Sequence, residues 1–121
     1  MRTRSLAAAL GVLTIAIGLG AILSGCRSLP ASKPEALWTM EEARGAQVFH
    51  RNCAKCHYPT TRKGLKGPGL QALTKVKAMP SGAPPTDERL TAVILRGRLN
   101  MPATQLTGDQ LSDLLAYLHT L

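Results

Sequence analysis

Three residues near the middle of the chain have the types and the spacing needed to hold an iron macrocycle. Residues 53–57 read CAKCH, so Cys53 and Cys56 are three positions apart and His57 follows directly. On a turn of helix, positions i and i+3 face the same side. Both thiols can then form thioethers with one haem while the imidazole binds its iron. The pattern predicts one covalently bound haem c.

Two other kinds of site use cysteines at this spacing. A structural zinc site needs four thiolate or imidazole ligands, and His50 is the further candidate beside the motif. Adjacent Cys56 and His57 would coordinate zinc awkwardly, and no second cysteine pair follows. A thioredoxin-like dithiol needs a strand-helix-strand setting, which the residues around Cys53 do not indicate. Haem attachment therefore explains the motif better than either alternative.

The N-terminus predicts a signal peptide at residues 1–25. Arg2 and Arg4 precede an uncharged, mostly apolar run over residues 6–23, as in export signals. The LSGC that ends at Cys26 resembles the lipobox of bacterial lipoproteins, in which the chain is cut before the cysteine and the cysteine is then acylated. An uncleaved membrane helix is the alternative, because the run is close to the minimum for spanning a bilayer. Both interpretations place the domain in the bacterial cell envelope, facing the periplasm or the outside.

Processing would leave one small basic domain. Residues 26–37 are polar and twice interrupted by proline, so they are expected to form a lipidated, flexible tether before a domain at residues 38–121. Without Arg2 and Arg4, thirteen Lys and Arg remain against seven Asp and Glu. Such an excess favours acidic partners or anionic lipids. Nucleic acid is not an expected partner, because no DNA-binding motif appears and an exported chain would not meet DNA.

Helical signals predominate in this domain, and no strand is predicted. A capping box of Thr39 and Glu42 starts the first helix, which should run into the CAKCH motif. A second helix should open at Asp87 and end at Gly97. The last helix begins after Thr107 and carries leucines at helical spacing. A short helical turn is expected at residues 70–76, and the proline-rich residues 79–85 should form a loop.

The order of these motifs resembles class I cytochrome c over about residues 40–121. GAQVF at residues 45–49 is similar to the first helix of that family, whose glycine and aromatic residue pack against the last helix. The partners here would be Leu114, Tyr117 and Leu118. The resemblance implies an all-α small cytochrome c fold, with helices packed around one covalently bound haem and with the N-terminal and C-terminal helices crossing.

The resemblance also implies how the histidine is held. GPGL at residues 67–70 is similar to the loop that follows the haem motif in the family. The carbonyl of Pro68 would accept a hydrogen bond from the ring of His57 and so fix its tautomer. His57 is thus expected to be one axial ligand of the iron.

The second axial ligand is expected to be Met101. GRLNMP at residues 97–102 looks like the methionine loop of the family, which lies shortly before the last helix. Met79 also precedes a proline but lacks that setting, and His50, His119 or an open position remain as alternatives. Four side chains are candidates by type for binding the haem propionates: Arg62, Lys66, Arg98 and Asn100.

These features predict a membrane-tethered monohaem cytochrome c that carries single electrons between periplasmic or membrane redox partners. It is not expected to be an enzyme or to take a small-molecule substrate, because protein ligands would fill both axial positions. A basic rim of Lys55, Lys63 and Lys66 would steer acidic redox partner proteins. One alternative is a cytochrome c subunit of a larger oxidoreductase complex. Another is a haem protein that binds a gas or peroxide.

Overall fold

Three α-helices form the frame of the molecule in the computed structural model, which describes residues 28–121. Helix α1 is Met40–Asn52, α2 is Asp87–Arg96 and α3 is Gly108–Leu118, and a 3₁₀ turn at Glu35–Leu37 precedes them. No strand occurs in the described residues, apart from an isolated bridge in one loop. The fold is all-α, as predicted.

The predicted signal peptide at residues 1–25 and Cys26 lie outside the described residues, so the predictions made for them stay predictions. Between residues 28 and 121, no helix has the length and apolar character needed to cross a membrane.

Each helix begins at the cap that its sequence specifies. The hydroxyl of Thr39 accepts a hydrogen bond from the backbone N–H of Glu42 at 3.2 Å, and the Glu42 carboxylate accepts one from the Thr39 N–H at 2.7 Å. Thr107 and Gln110 form the same reciprocal pair at the start of α3, at 3.2 and 3.0 Å. Thr86 caps α2. These bonds satisfy amide groups that have no partner within the helix.

The close crossing of α1 and α3 depends on Gly45. A Cβ atom on Gly45 would overlap the carbonyl of Asp113 and would lie 2.8 Å from the Cβ of Tyr117. Only glycine lets the two backbones approach this closely. The ring of Phe49 packs on Tyr117 with 5.4 Å between ring centroids. The predicted crossing of the first and last helices is confirmed.

The buried core comes mainly from one face of each helix. It contains Val48, Phe49, Leu90, Ile94, Leu114, Tyr117, Leu118 and Leu121. The short helical turn expected at residues 70–76 forms consecutive hydrogen-bonded turns and no regular helix. Ala72 explains the difference, because its φ of +57° lies in the left-handed region and interrupts a helical repeat.

Part of the segment predicted to be a free tether packs against the domain. The backbone N–H of Lys33 donates to the carbonyl of Thr120 at 2.6 Å, and its ammonium group contacts both carboxylate oxygens of Glu42 at 2.9 and 2.7 Å. The indole of Trp38 donates to the carbonyl of Lys33 at 3.0 Å and meets the ring of Tyr117 edge-on. Lys33 thus contacts the domain, and Leu29 and Ser32 before it are also partly buried.

Candidate haem site

The CAKCH motif forms a tight turn at the end of α1. The N–H of Cys53 still donates to the carbonyl of Phe49 at 2.7 Å, which continues the helical pattern by one residue. The N–H groups of Cys56 and His57 then both donate to the carbonyl of Cys53 at 3.0 Å. The backbone of the motif is therefore held by its own hydrogen bonds together with the last turn of α1.

An open cleft lies beside this turn. It brings together the four side chains that the sequence predicted to hold a haem, although residues 58–100, which include helix α2, separate Met101 from the other three along the chain. The lining residues are Asn52, Cys53, Cys56, His57, Met101, Pro102 and Thr104. Two thiols, one imidazole and one thioether thus share a single cleft.

The imidazole of His57 is fixed on one side by the following loop. Its Nδ1 lies 2.8 Å from the carbonyl oxygen of Pro68. A carbonyl only accepts, so Nδ1 must carry the proton and Nε2 keeps its lone pair for a metal. A Cβ on Gly67 would overlap the ring, and the N–H of Gly67 donates to the carbonyl of Cys56 at 2.8 Å. The loop at residues 67–68 thereby sets both the tautomer and the position of the ring.

A two-residue hairpin positions Met101. The backbones of Arg98 and Met101 exchange two hydrogen bonds, each 2.9 Å long. Gly97 ends α2 with a φ of +73°, and a Cβ there would lie 2.6 Å from the Met101 carbonyl oxygen. The N–H of Thr104 donates to the carbonyl of Ile94 at 2.9 Å, which ties the loop back to α2. The loop backbone is therefore held at both ends by protein contacts alone.

The alternative axial ligands lie elsewhere in the structure. Met79 packs against the hydrophobic core. His50 is exposed on α1, and the ring of His119 contacts the carboxylate of Asp87 at 2.8 Å. None of these side chains lines the cleft. Their positions favour Met101, whose ligation of iron stays a prediction.

Comparison with known proteins identifies the family. The family model described as cytochrome c oxidase, cbb3-type, subunit III matches residues 41–118. The chain belongs to this cytochrome c family. The cytochrome bc1 complex cytochrome c subunit of Corynebacterium diphtheriae is 35% identical over 79 residues, which are 63% of this chain and 26% of that protein. The protein of the same name from Mycobacterium tuberculosis is 34% identical over 77 residues, 61% of this chain and 25% of that protein.

The cytochrome c domain thus spans about a quarter of the length of these curated relatives. Covalently bound haem c is the cofactor of such a domain. The cleft fits this cofactor, because two thiols and two potential iron ligands of different softness converge in it. The small fold of three helices is also the one that the sequence predicted.

Thiolate chemistry is poorly supported at this site of the cytochrome c domain. Burial raises the pKa of the Cys53 thiol to about 11, and the nearby Cys56 acts in the same direction. Dithiol redox chemistry needs a thiolate and usually a lowered pKa, which this burial opposes. In the described residues, no group of three or more His, Cys, Asp or Glu side chains could hold a metal ion. The zinc set that would include His50 is not assembled.

The proposed propionate partners do not line the cleft of the cytochrome c domain. All four are exposed: Arg62, Lys66, Arg98 and Asn100. Asn52 and Thr104 line the cleft instead, and the sequence analysis did not identify either. The amide of Asn52 donates to the carbonyl of Val48 at 2.8 Å. Only their positions in the sequence could have indicated that they line the cleft, because Asn52 directly precedes Cys53 and Thr104 follows Met101 by three residues.

Proposed function

We propose that this protein is a lipid-anchored class I cytochrome c that carries single electrons between redox partners at the periplasmic face of a membrane. The observation that carries the proposal is the convergence of Cys53, Cys56, His57 and Met101 on one cleft. When bound, haem c supplies an iron couple that takes up and releases one electron.

Each residue of the cleft has a distinct role in this proposal. Cys53 and Cys56 hold the haem through thioether bonds, so that it stays with the chain. His57 would offer Nε2 to the iron, since the carbonyl of Pro68 keeps the proton on Nδ1. Met101 provides a soft thioether that favours Fe(II) and raises the reduction potential relative to a second imidazole.

The protein has no substrate chemistry of its own in this proposal. His57 and Met101 would together hold the iron of a bound haem, which would leave no position there for a small molecule. The residues around the cleft then determine the potential and the surface that a partner meets. This role differs from that of a haem protein that binds a gas or peroxide, which needs an open coordination position.

A second candidate is a permanent subunit of a larger respiratory complex. Two observations favour it: the matched family is described as an oxidase subunit, and the relatives are named as subunits of a cytochrome bc1 complex. The site would be the same in both cases. Purification after mild detergent extraction separates the two, because a subunit elutes with its complex whereas a carrier elutes alone.

The central test examines haem attachment and ligation in the purified protein. After denaturation in acid and extraction with organic solvent, the colour should stay with the polypeptide. The reduced wild type should not bind carbon monoxide, and Met101→Ala should open the iron to it and lower the potential. Met79→Ala is the matched control and should resemble the wild type. Haem that moves into the solvent, or carbon monoxide binding only in the Met79 variant, would contradict the assignment.

The membrane anchor requires a separate experiment. Mass spectrometry of the mature chain should show acyl groups on Cys26, and a Cys26→Ser variant should lack them or should keep its signal peptide. An unmodified Cys26 in a processed protein that does not sediment with membranes would contradict lipidation. That result would leave the electron-transfer role intact.

A further inference from the structure

The chain just before α1 lies against the domain. Lys33 is bound through its backbone N–H to Thr120 and through its ammonium group to Glu42, and the indole of Trp38 donates to the Lys33 carbonyl. We call residues 33–38 the strap. Because both ends of the strap are bound, Lys33 is held beside the first turn of α1. We call this end of the domain the strap end.

Little chain remains between the strap and the predicted acylation site. Six residues, 27–32, separate Cys26 from Lys33. A fully extended chain spans at most about 3.5 Å per residue, so Lys33 can lie no more than about 25 Å from Cys26. Leu29 and Ser32 in this short segment are already partly buried. An acylated Cys26 would therefore hold the strap end of the domain close to the bilayer.

Two large apolar side chains are exposed at the strap end. Leu37 is 65% exposed, and Met40, the first residue of α1, is 75% exposed. A bound haem would not cover them, because the CAKCH motif follows the last turn of α1, about 20 Å away at 1.5 Å per residue. Both side chains would gain free energy by leaving water for the surface layer of a bilayer.

The charges near these side chains indicate how this end would meet lipid. Glu35 and Glu41 are exposed, whereas the ammonium group of Lys33 is paired with Glu42. Anionic headgroups attract basic segments and repel carboxylates, so charge would not draw this end to an anionic membrane. The attraction would instead come from burial of apolar area, which a zwitterionic bilayer provides equally well.

We propose that Leu37 and Met40 insert into the interfacial layer of the bilayer and seat the domain on the membrane, with the haem cleft at the other end of α1 turned away from the lipid. The proposal rests on the acylation of Cys26 proposed above and names the protein surface that contacts the membrane. A redox partner would then reach the cleft from the aqueous side.

The test measures which part of the haem-loaded, acylated protein contacts lipid. The chain has three native cysteines, and all of them are blocked in that protein, since Cys26 is acylated and Cys53 and Cys56 hold the haem. An introduced cysteine is then the only free thiol and can carry a fluorophore. Each labelled protein is reconstituted into phosphatidylcholine vesicles whose acyl chains are either brominated or unbrominated.

Two exposed positions are compared. Ala36→Cys carries the fluorophore next to Leu37, and Lys63→Cys carries it in the loop beside the cleft. The ratio of fluorescence in brominated and unbrominated vesicles removes the constant quenching by haem. Bromine should reduce the fluorescence of the Ala36 label and should leave that of the Lys63 label unchanged.

Removal of the two apolar side chains tests what holds the domain on the membrane. In Leu37→Asn/Met40→Asn, the equilibrium constant for seating should fall at least about tenfold, with a matching loss of quenching at the Ala36 label. Leu37→Met/Met40→Leu is the matched control, because it keeps both side chains apolar and should keep the quenching. Both variants should melt at the wild-type temperature, since the two side chains are exposed.

Different outcomes would refute the anchor and the membrane contact. A protein that does not float with the vesicles would refute acylation of Cys26 and the seating that rests on it. A protein that floats without quenching of the Ala36 label would refute the seating alone, and protection of that label from aqueous iodide would then assign the strap end to a protein neighbour.

Three further results would also overturn the proposal. Equal quenching at the Ala36 and Lys63 labels would mean that the domain has no fixed orientation on the membrane. Unchanged quenching in Leu37→Asn/Met40→Asn would mean that these side chains do not make the contact. Quenching that appears only when phosphatidylglycerol is added would mean that charge, and not apolar burial, brings the domain to the lipid. Reduction of the haem by ascorbate tests the electron-carrier function separately from all of these results.

Discussion

The crossing of α1 with α3 and the two loops beside the haem cleft are ordered in different ways. At the crossing, capped helices bury residues from both elements, among them Phe49, Leu114 and Tyr117. Residues 55–71 and 97–107, which form the loops, contain no fully buried residue. Isolated backbone hydrogen bonds hold them instead, for example the two that Arg98 and Met101 exchange.

This difference shows what the cofactor contributes to the fold. A small domain has little apolar surface to bury, and only four aromatic residues occur in the whole chain. The crossing uses three of them, Trp38, Phe49 and Tyr117. The loops hold only the fourth, Tyr58, which is partly exposed, so a haem in the cleft would supply the apolar surface that they lack. The crossing should therefore be the stable part of the molecule and the loops the part that depends on haem.

The largest effect is expected from breaking the crossing at Gly45. In Gly45→Ala the new Cβ overlaps the backbone of Asp113, which cannot move without separating the helices. We expect a loss of about 3 kcal/mol in the free energy of unfolding, at the upper end for overpacked sites. Denaturant titration of the haem-loaded protein measures it.

Gly108→Ala is the matched control for this substitution. Gly108 opens α3, and a Cβ there would meet nothing within 4 Å. Alanine has the higher helix propensity, so this variant should be as stable as the wild type or slightly more stable. Equal losses in Gly45→Ala and Gly108→Ala would show that backbone approach at the crossing does not limit stability.

Local signals predicted the helices well because their causes are local. The cap formed by Thr39 and Glu42 involves residues three apart, so the sequence alone reveals it. The left-handed φ of Ala72 has no such signal, because alanine ordinarily favours helix and its burial here is a tertiary effect. The contact of Lys33 with Thr120 was likewise missed, since it joins residues from opposite ends of the domain.

The candidate site likewise combines residues that local sequence reveals with residues that only the tertiary structure reveals. The cysteines and His57 form a local motif, and Pro68 and Met101 were identified through the order of family motifs. Asn52 and Thr104 have side chains that occur anywhere on a protein surface, so only the folded cleft distinguishes them. Their place in the cleft depends on where α1 ends and on how the Met101 loop returns to α2.

Removal of the haem should have the second largest effect. It should affect the two loops beside the cleft much more than the crossing of α1 with α3. In Cys53→Ala/Cys56→Ala chains isolated without haem, amides in residues 55–71 and 97–107 should exchange roughly 100-fold faster than in the haem-loaded wild type. Amides in α1 and α3 should keep measurable protection, because the contacts at Gly45, Phe49 and Tyr117 that join the two helices lie outside the cleft lining. Hydrogen exchange with mass spectrometry resolves these segments. Complete loss of protection in α1 and α3 would show that the crossing also needs haem.

A smaller and more local effect is expected at Gly67. A Cβ in Gly67→Ala would overlap the ring of His57, which must then turn away from the carbonyl of Pro68. Loss of that bond should cost about 1–2 kcal/mol of stability and should shift the haem spectrum and potential, because the ring orientation changes. Gly64→Ala is the control, since its Cβ would lie 3.3 Å from the Gly67 carbonyl oxygen and away from the ring. A normal spectrum in Gly67→Ala would mean that the loop does not orient the histidine.

The smallest effect is expected from acid acting on the crossing. The guanidinium of Arg44 donates two hydrogen bonds of 2.8 Å to Asp113, and this contact lowers the pKa of Asp113 from its usual 3.8. A carboxyl group whose pKa is lower in the folded state contributes stability above its unfolded pKa, and that contribution disappears as the pH falls through the folded value. The melting temperature of the wild type should therefore drop below about pH 4.

Arg44→Gln should show a shallower drop, because Asp113 then titrates almost as it does in the unfolded chain. The difference should be small, since the arginine is exposed and salt screens the pair. Parallel acid profiles for Arg44→Gln and the wild type would show that this pair adds nothing to the crossing, and that packing at Gly45, Phe49 and Tyr117 holds the two helices together without help from charge.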